Sequence, residues 1–494
     1  MLVGGTGHQR RARTLPAVGT IVFRCDGDDE IGAGHVSRCL QIAVAMRTRG
    51  QTAVIAGSVS GVAAGLVEAA GLTVVPAQPG APAGVPDTAD AAVVDSYTIA
   101  SDEIEAAAAL RPVAVVVDDG PVPRATAALA YHLDAERRIE APPGVTRIFG
   151  PAYAPVRPAC AAARRPRGLE HALVTLGGSN AGVTLLDPLV ETLLGLDPGL
   201  EVFVAGSAAP PARERMSAGL VPGGLLEQIG RADVAVSGAG STPYELACAG
   251  VPSVLVALAD NQAPVGAAFQ EAGIAGFADA RGGLARAALE AALAPLADPD
   301  ARAGMARAGP AAIDGYGSFR TADALLAAFG ARPLRRCIAY RPADQSDADR
   351  LLAWRNDAAT RAASRDQGEV DRDTHLEWLQ RAIADPVRTL LVAETDGAAV
   401  GTVRFDGEGD EVEIGVTVAP EARAGGLGAQ IIREAAELQL HARPRVARVR
   451  AEIRPGNTRS VAAFERAGFA RRGESAELSV FIADRESLAH AGRG

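Results

Sequence analysis

Short, wholly apolar runs alternate twice over with helix-forming stretches in this chain, and no other feature restricts its fold as much. From Thr20 the runs are TIVFRCD (20–26), TAVIAG (52–57), LTVVPA (72–77), AAVVDS (91–96) and VAVVVDD (113–119). Between several of them lie Ala-rich helical stretches, and residues 35–50 form an amphipathic helix pattern ended by Gly50. Strands that are apolar along their whole length have no solvent face, so they belong in a parallel sheet covered by helices on both sides. A Pro- and Arg-rich stretch, PAYAPVRPACAAARRPRG (151–168), breaks the pattern and reads as an interlobe linker. The alternation then restarts with HALVTLG (171–177), EVFVAG (201–206), DVAVSG (233–238) and PSVLVAL (252–258). Helices are expected around 183–195, 241–249, 264–272 and 283–295. Two Rossmann-like lobes follow, 20–155 and 168–330, with ligand chemistry expected at the carboxyl ends of their strands and in the cleft of two facing lobes.

A second change comes at GARPLRR (330–336). Beyond it, strands are expected at 337–341, 389–394, 399–405, 411–418 and 446–453, with a last strand pair. Helices fall near 345–356, 373–384, 427–441 and 457–467. Strands in hairpin succession with a few helices make an α+β module, 337–484. The fold class is therefore α/β: two Rossmann-like lobes followed by an α+β domain.

Composition narrows the chemistry. Every one of the 49 cationic side chains is arginine, so there is no lysine for a Schiff base or for a standard P-loop. Asp and Glu number 59, for a net charge of −10 without a basic run, which argues against sequence-independent nucleic-acid binding. The five cysteines form no CxxC and the seven histidines no HxxxH or HxH. Reduced thiols in a cytoplasmic protein without a dedicated metal site are the expectation. No apolar run reaches the roughly 18 residues of a membrane helix, so no membrane insertion is expected. Residues 1–19 carry Arg10, Arg11 and Arg13 but no apolar core, and read as a flexible leader. GGTGHQ (4–9) inside it looks like a phosphate loop but follows only three residues, so it reads as a decoy.

Three stretches carry candidate chemistry. In RCDGDDEIGAGHVSRCLQIA, Gly32 and Gly34 stand directly before His35 at a strand–helix junction. The positive end of a helix dipole disfavours a protonated imidazole, which suits His35 to taking a proton from water, although a helix-capping histidine without chemistry fits equally. Arg24, Asp26 and Arg38 would orient the imidazole, meet phosphate oxygens, or simply be solvated charges. In the second lobe, LGGSN (176–180) and SGAGSTPYELACAGVPS (237–253) each follow a strand and open a helix. Such amide-rich turns hold anions. Glu245, one turn into the second helix, suits two ribose hydroxyls, or else complements the helix dipole. Asn261 and Gln262 lie at the same edge after the next strand.

Together with VVDSY (93–97), VVVDD (115–119) and ADNQ (259–262), these motifs resemble the UDP-2,4-diacetamido-2,4,6-trideoxy-β-L-altropyranose hydrolases of pseudaminic acid synthesis. Those hydrolases are themselves similar to GT-B glycosyltransferases. The resemblance covers roughly residues 20–330. It implies metal-independent hydrolysis at the anomeric carbon with loss of UDP, and His35 as general base. It further implies Tyr97 and Asn261 along the sugar, Gly178, Ser179, Ser241 and Thr242 around the diphosphate, and Glu245 on the ribose. A GT-B glycosyltransferase using the same cleft and a catalytically inactive nucleotide-sugar-binding protein are the alternatives.

The third stretch is ARAGGLG (422–428), after the strand EVEIGVTV (411–418) and opening a helix. Gly425, Gly426 and Gly428 would turn amides toward a pyrophosphate, with Arg423 adding charge. With NTRSVAAFERAGF (457–469) it resembles the GNAT acetyltransferases, which implies acetyl-CoA as acetyl donor and Asn457 beside the cofactor arm. Residues 341–379 resemble the members that N-acetylate a UDP-linked 4-amino sugar in the same pathway. Many GNAT enzymes carry a tyrosine near the position of Phe464, which cannot donate a proton. Glu413, on the strand before the loop, is the candidate general base for a substrate ammonium, or a strand-face carboxylate paired with an arginine. His375 reads as a packing or substrate-contact residue rather than a base.

Overall fold

The computed structural model describes residues 19–491 except 29–30, 158, 164–167, 178–181, 207–209, 220, 222–224, 332–337, 365, 386, 396–397, 426, 444, 455 and 475–477. GGTGHQ, Gly178, Ser179 and Gly426 thus lie outside the described residues. By internal packing the chain divides into two compact units, Met1–Tyr153 with Arg320–Arg335, and Ala154–Phe319 with Arg336–Gly494.

The first unit is built on β1 (Thr20–Cys25), β2 (Thr52–Ala56), β3 (Thr73–Val75), β4 (Ala91–Asp95), β5 (Val113–Val116), β6 (Ala127–Ala130) and β7 (Thr146–Phe149). They pair in the order β3-β2-β1-β4-β5-β6-β7, parallel throughout. All five residues of β4 and all four of β5 and of β6 are buried, as a sheet covered on both faces requires. Fully burying a valine is worth about 1.5–3 kcal/mol, while ordering each residue's backbone costs about 1–2 kcal/mol. A strand with only one covered face would barely break even, so both helical layers are needed. The helix Gly34–Thr48 follows β1. Its end is fixed by Arg49, fully buried, whose guanidinium donates to Asp323 at 2.8 Å. Asp323 belongs to the helix Gly317–Ala328, where Thr321 also donates to the Tyr153 carbonyl. The end of that helix therefore packs with the first unit, although the sequence places it in the second lobe.

The second unit holds two sheets. The first contains β8 (His171–Thr175), β9 (Glu201–Ala205), β10 (Met216–Gly219), β11 (Val234–Gly238), β12 (Ser253–Ala257) and β13 (Gly276–Asp279). These are parallel in the order β10-β9-β8-β11-β12-β13. The buried Asp233 carboxylate accepts from the amides of Gly168, Glu170 and His171, which fixes where the linker enters β8.

The second sheet contains β14 (Ala339–Pro342), β15 (Thr389–Thr395), β16 (Ala398–Asp406), β17 (Glu411–Val418), β18 (Arg448–Ile453), β19 (Ala470–Glu474) and β20 (Ser479–Ala483). Its order is β14-β15-β16-β17-β18-β20-β19, antiparallel except where β17 meets β18. The helix Leu427–Ala442 packs its apolar face, Leu427, Ile431, Ala435 and Leu440, into the core of this sheet. Tyr316, from the second lobe, sits in the same core, its ring 6.2 Å from that of Tyr340.

Candidate functional site

In the first unit the chain runs outward from β1 to β3 and then returns to the other side of β1 as β4, so the topological switch point lies between β1 and β4. Ligands of open parallel sheets bind at the carboxyl ends of the strands at that point. Both flanking strands deliver a polar residue there. His35, second in the helix after β1, is 6 % exposed, and Asp95 ends β4 at 2 % exposed. The His35 Nδ1 and Asp95 Oδ1 are 2.6 Å apart. Arg38, one helical turn beyond His35, donates from Nε to Asp95 Oδ2 at 2.9 Å and from Nη2 to Oδ1 at 2.7 Å. An arginine only donates, so a carboxylate receiving it on both oxygens is an acceptor on both. Arg38 Nη2 also lies 2.9 Å from Nδ1, but the 2.6 Å contact between Nδ1 and an accepting carboxylate oxygen calls for a hydrogen on Nδ1, which would leave Nε2 as the nitrogen open to a ligand.

The Arg38 Nη1 reaches a second carboxylate, Asp118 just past β5, at 3.0 Å. His132 Nε2 lies 3.2 Å from Asp118, and the Tyr97 hydroxyl donates to it as well. Burial by itself would raise the Asp118 carboxyl, but Arg38, then His132 and Tyr97, outweigh burial and hold it well below the usual carboxylate range. Burial likewise opposes the Arg38 charge, and Asp118 and Asp95 overcome it, pushing that guanidinium further up. Arg38 also lies over the Tyr131 ring, 5.5 Å from its centroid. The Tyr97 ring stands edge-on to His35 at 4.5 Å and is 62 % exposed, so it forms the wet face of the cluster.

Arg24 and Asp26 have a local task. Arg24 donates to Asp26 at 2.8 Å, and Asp26 accepts from the Ser58 amide at 2.8 Å, pinning the turn after β2 against β1. Gly57 in that turn has φ +152°, and a Cβ there would lie 2.0 Å from the Cys25 carbonyl oxygen. Gly34 opens the helix with nothing within 4 Å of the position of a Cβ, so space does not demand glycine there. Asp95, Asp118 and His132 were not picked out by sequence reasoning. Both aspartates end the apolar runs VVDSY and VVVDD, and the adjacency of β4 and β5 brings them together.

In the second lobe the switch point lies between β8 and β11. A Cβ on Gly238 would lie 2.9 Å from the Leu176 carbonyl oxygen, so only glycine lets β11 close against the end of β8. Ser241 and Thr242 open the helix Thr242–Cys248, half-buried and with no hydroxyl cap bond at Ser241. Glu245, expected on a ribose, lies in a two-pronged ion pair with Arg157, at 2.7 and 3.0 Å. Burial opposes the Arg157 charge, and Glu245 more than offsets that. Asn261 is exposed, whereas the Gln262 side-chain oxygen accepts from the Leu258 amide at 2.9 Å and so shapes the turn after β12.

In the C-terminal sheet β17 and β18 are hydrogen-bonded only over Glu411–Glu413 and Arg448–Arg450. Beyond that rung β17 pairs with β16 and β18 with β20, so the two strands fork. Glu413 stands on the last shared rung, with Arg450 Nη1 3.7 Å from its carboxylate. The fork opens toward the turn Pro420–Gly425 and the start of the helix Leu427–Ala442, where Gly425 and Gly428 lie. Arg423 points elsewhere: it donates to Asp357 at 2.6 Å, Thr360 at 2.7 Å and the Val418 carbonyl at 3.2 Å. It braces the turn on the neighbouring helix. Asn457 caps the helix Thr458–Arg466 by accepting from the Ser460 amide at 3.2 Å. Phe464 is buried edge-on against Phe469 and offers no proton. His375 is buried, and burial first, then Arg355, lowers its proton affinity.

Among the described residues no group of three or more His, Cys, Asp or Glu could hold a metal ion, and no helix is long and apolar enough to cross a membrane. Residues 338–470 match the family model Acetyltransferase (GNAT) domain, and this part of the chain is a GNAT-type domain. No curated protein matches the chain. Among solved structures it is similar to aminoglycoside acetyltransferase AAC(6')-Ib in complex with coenzyme A and kanamycin, at 21% identity over 31% of this chain and 98% of that one, TM-score 0.28. It is also similar to spermidine N-acetyltransferase from Vibrio cholerae in complex with CoA and spermine, at 15% identity over 31% and 98%, TM-score 0.28.

Proposed function

We propose that the chain joins two reactions on a UDP-linked amino sugar. The C-terminal domain transfers an acetyl group from acetyl-CoA to the 4-amino group. The N-terminal lobes hydrolyse the resulting UDP-2,4-diacetamido-2,4,6-trideoxy-β-L-altropyranose and release UDP, a pathway step of pseudaminic acid synthesis. The acetyl transfer rests on the GNAT match over 338–470, and the fork between β17 and β18 fits it: the unshared β17 backbone offers hydrogen bonds to an extended arm carrying amides. Gly425, Gly426 and Gly428 would receive the pyrophosphate, and Glu413 at the fork would take the proton of the substrate ammonium.

The hydrolase reading is carried by one observation, a buried His35–Asp95 pair at the switch point of a parallel sheet. Through Nε2, His35 would deprotonate a water as it attacks the anomeric carbon, the C–O bond to UDP breaks, and the configuration inverts. Tyr97 and Asn261 would line the sugar. Gly178, Ser179, Ser241 and Thr242 would surround the diphosphate, and Glu245, shared with Arg157, would meet the ribose.

The test is to follow UDP release from the diacetamido substrate with water as the only acceptor, and thiol release from acetyl-CoA with the 4-amino precursor. Each should turn over, and NMR of the products should show the free diacetamido sugar. Absence of UDP release without an added acceptor would remove the hydrolase reading in favour of a glycosyltransferase. Unchanged turnover in His35→Ala, or in Glu413→Gln for the thiol assay, would remove that residue as base.

A further inference from the structure

We infer that Asp95 is a positioning residue for His35, fixing its Nδ1–H tautomer and presenting Nε2 as the basic nitrogen, with Arg38 clamping both to Asp118. The inference rests, for its catalytic consequence, on the reading of His35 as a base.

The geometry carries it in three steps. First, Asp95 is held from both sides, its oxygens receiving Arg38 Nε and Nη2 while Oδ1 also faces His35 Nδ1 at 2.6 Å. The carboxylate cannot rotate away without breaking three contacts. Second, Arg38 is itself fixed by Asp118, which in turn accepts from Tyr97 and lies 3.2 Å from His132 Nε2. Arg38 donates to Asp95 through Nε and Nη2 and to Asp118 through Nη1, so both Asp95 oxygens are held as acceptors facing His35. Third, Arg38 Nη2 also lies 2.9 Å from His35 Nδ1, but it donates to Asp95 Oδ1 at 2.7 Å, and the 2.6 Å contact between Nδ1 and that carboxylate oxygen requires a hydrogen that Nδ1 supplies. Cys39 Sγ lies 3.9 Å from Asp95 Oδ2, and Tyr97 meets the His35 ring edge-on. Neither bonds Nδ1. A histidine that only caps its helix would need none of this: the pair spans 60 residues of sequence and is almost wholly buried. In such an arrangement the orienting carboxylate acts on rate through the ring it holds, without touching the substrate.

The full-length chain, labelled with nitrogen-15, tests this by long-range proton–nitrogen correlation of its histidine rings, with His35→Gln identifying the His35 signals. Near neutral pH wild-type His35 should be the Nδ1–H tautomer. Asp95→Asn should convert it to the Nε2–H form, because the amide can donate to Nδ1. With the diacetamido UDP-sugar, Asp95→Asn should lose kcat by roughly 10²–10⁴-fold with KM little changed. Asp95→Glu should recover part of both the rate and the tautomer.

A wild-type ring protonated on Nε2 overturns the inference, as does an Asp95→Asn chain that keeps both the tautomer and kcat. If Asp95→Asn does not fold, the wild-type tautomer and Asp95→Glu still decide. Should His35→Gln retain full turnover, the base reading fails, while the ring signals still show whether Asp95 sets the tautomer.

Discussion

Single residues divide here into those tied up by the fold and those left at a strand edge. Arg423 and Asn457 were expected at the acetyl-CoA arm, yet each has an internal partner: Asp357 and Thr360 for the first, the Ser460 amide for the second. Removing a side-chain cap costs about 1 kcal/mol. Asn457→Ala should lower the stability of the C-terminal domain by about that amount in urea unfolding, with thiol release from acetyl-CoA largely retained if capping is its whole role. His375 gives a pH-dependent counterpart. Its proton affinity is lowered in the folded chain, so the unfolded chain binds the extra proton first as pH falls. The stability it contributes is complete above about pH 6.5 and is lost as pH drops toward its lowered folded value. His375→Gln should therefore flatten the decline in urea midpoint below about pH 6.5, and an unchanged slope would show that other groups set it. His35 was legible because glycines and a helix start flag it locally. Asp95 and Asp118 were not, since a strand-final aspartate carries no local mark and only the β4–β5 pairing supplies its partners.

Among elements, the apolar runs rich in Val and Ile were legible almost to the residue, as in β1, β4, β11 and β12. Four strands were not. β6 is AALA, β7 TRIF, β10 MSAG and β13 GFAD, short and mostly without β-branched residues. They become strands by pairing along an existing sheet edge rather than by their own preference. Close approaches between elements are equally invisible in sequence. At Gly238 a Cβ would lie 2.9 Å from the Leu176 carbonyl oxygen, and that neighbour is backbone. Gly238→Ala must push β8 and β11 apart, at a cost of about 1–3 kcal/mol. The urea midpoint of the second unit should fall with an unchanged slope, whereas Gly240→Ala, where a Cβ meets nothing within 4 Å, should leave the midpoint in place.

At the scale of the whole molecule, three lobes read from sequence become two compact units, because the second lobe and the GNAT-type domain share packing. Tyr316 enters the core around Tyr340 and Phe405, and the short helix Ala159–Ala162 lies against both β14 and the helix Leu427–Ala442. Sequence periodicity could not show this, since it reports which face of an element is apolar and not which distant element covers it. The sharing has a measurable consequence. Both tryptophans, Trp354 and Trp378, lie in the C-terminal domain, so tryptophan fluorescence follows that domain alone. A ligand at 100 times its Kd stabilises the state it binds by about 2.7 kcal/mol. Acetyl-CoA should therefore raise the fluorescence-detected thermal midpoint directly. UDP, proposed to bind the second lobe, should raise the same midpoint, because lobe and domain unfold together. If UDP binds by calorimetry yet leaves the tryptophan transition unmoved while acetyl-CoA shifts it, the two parts unfold independently and the shared core contributes little.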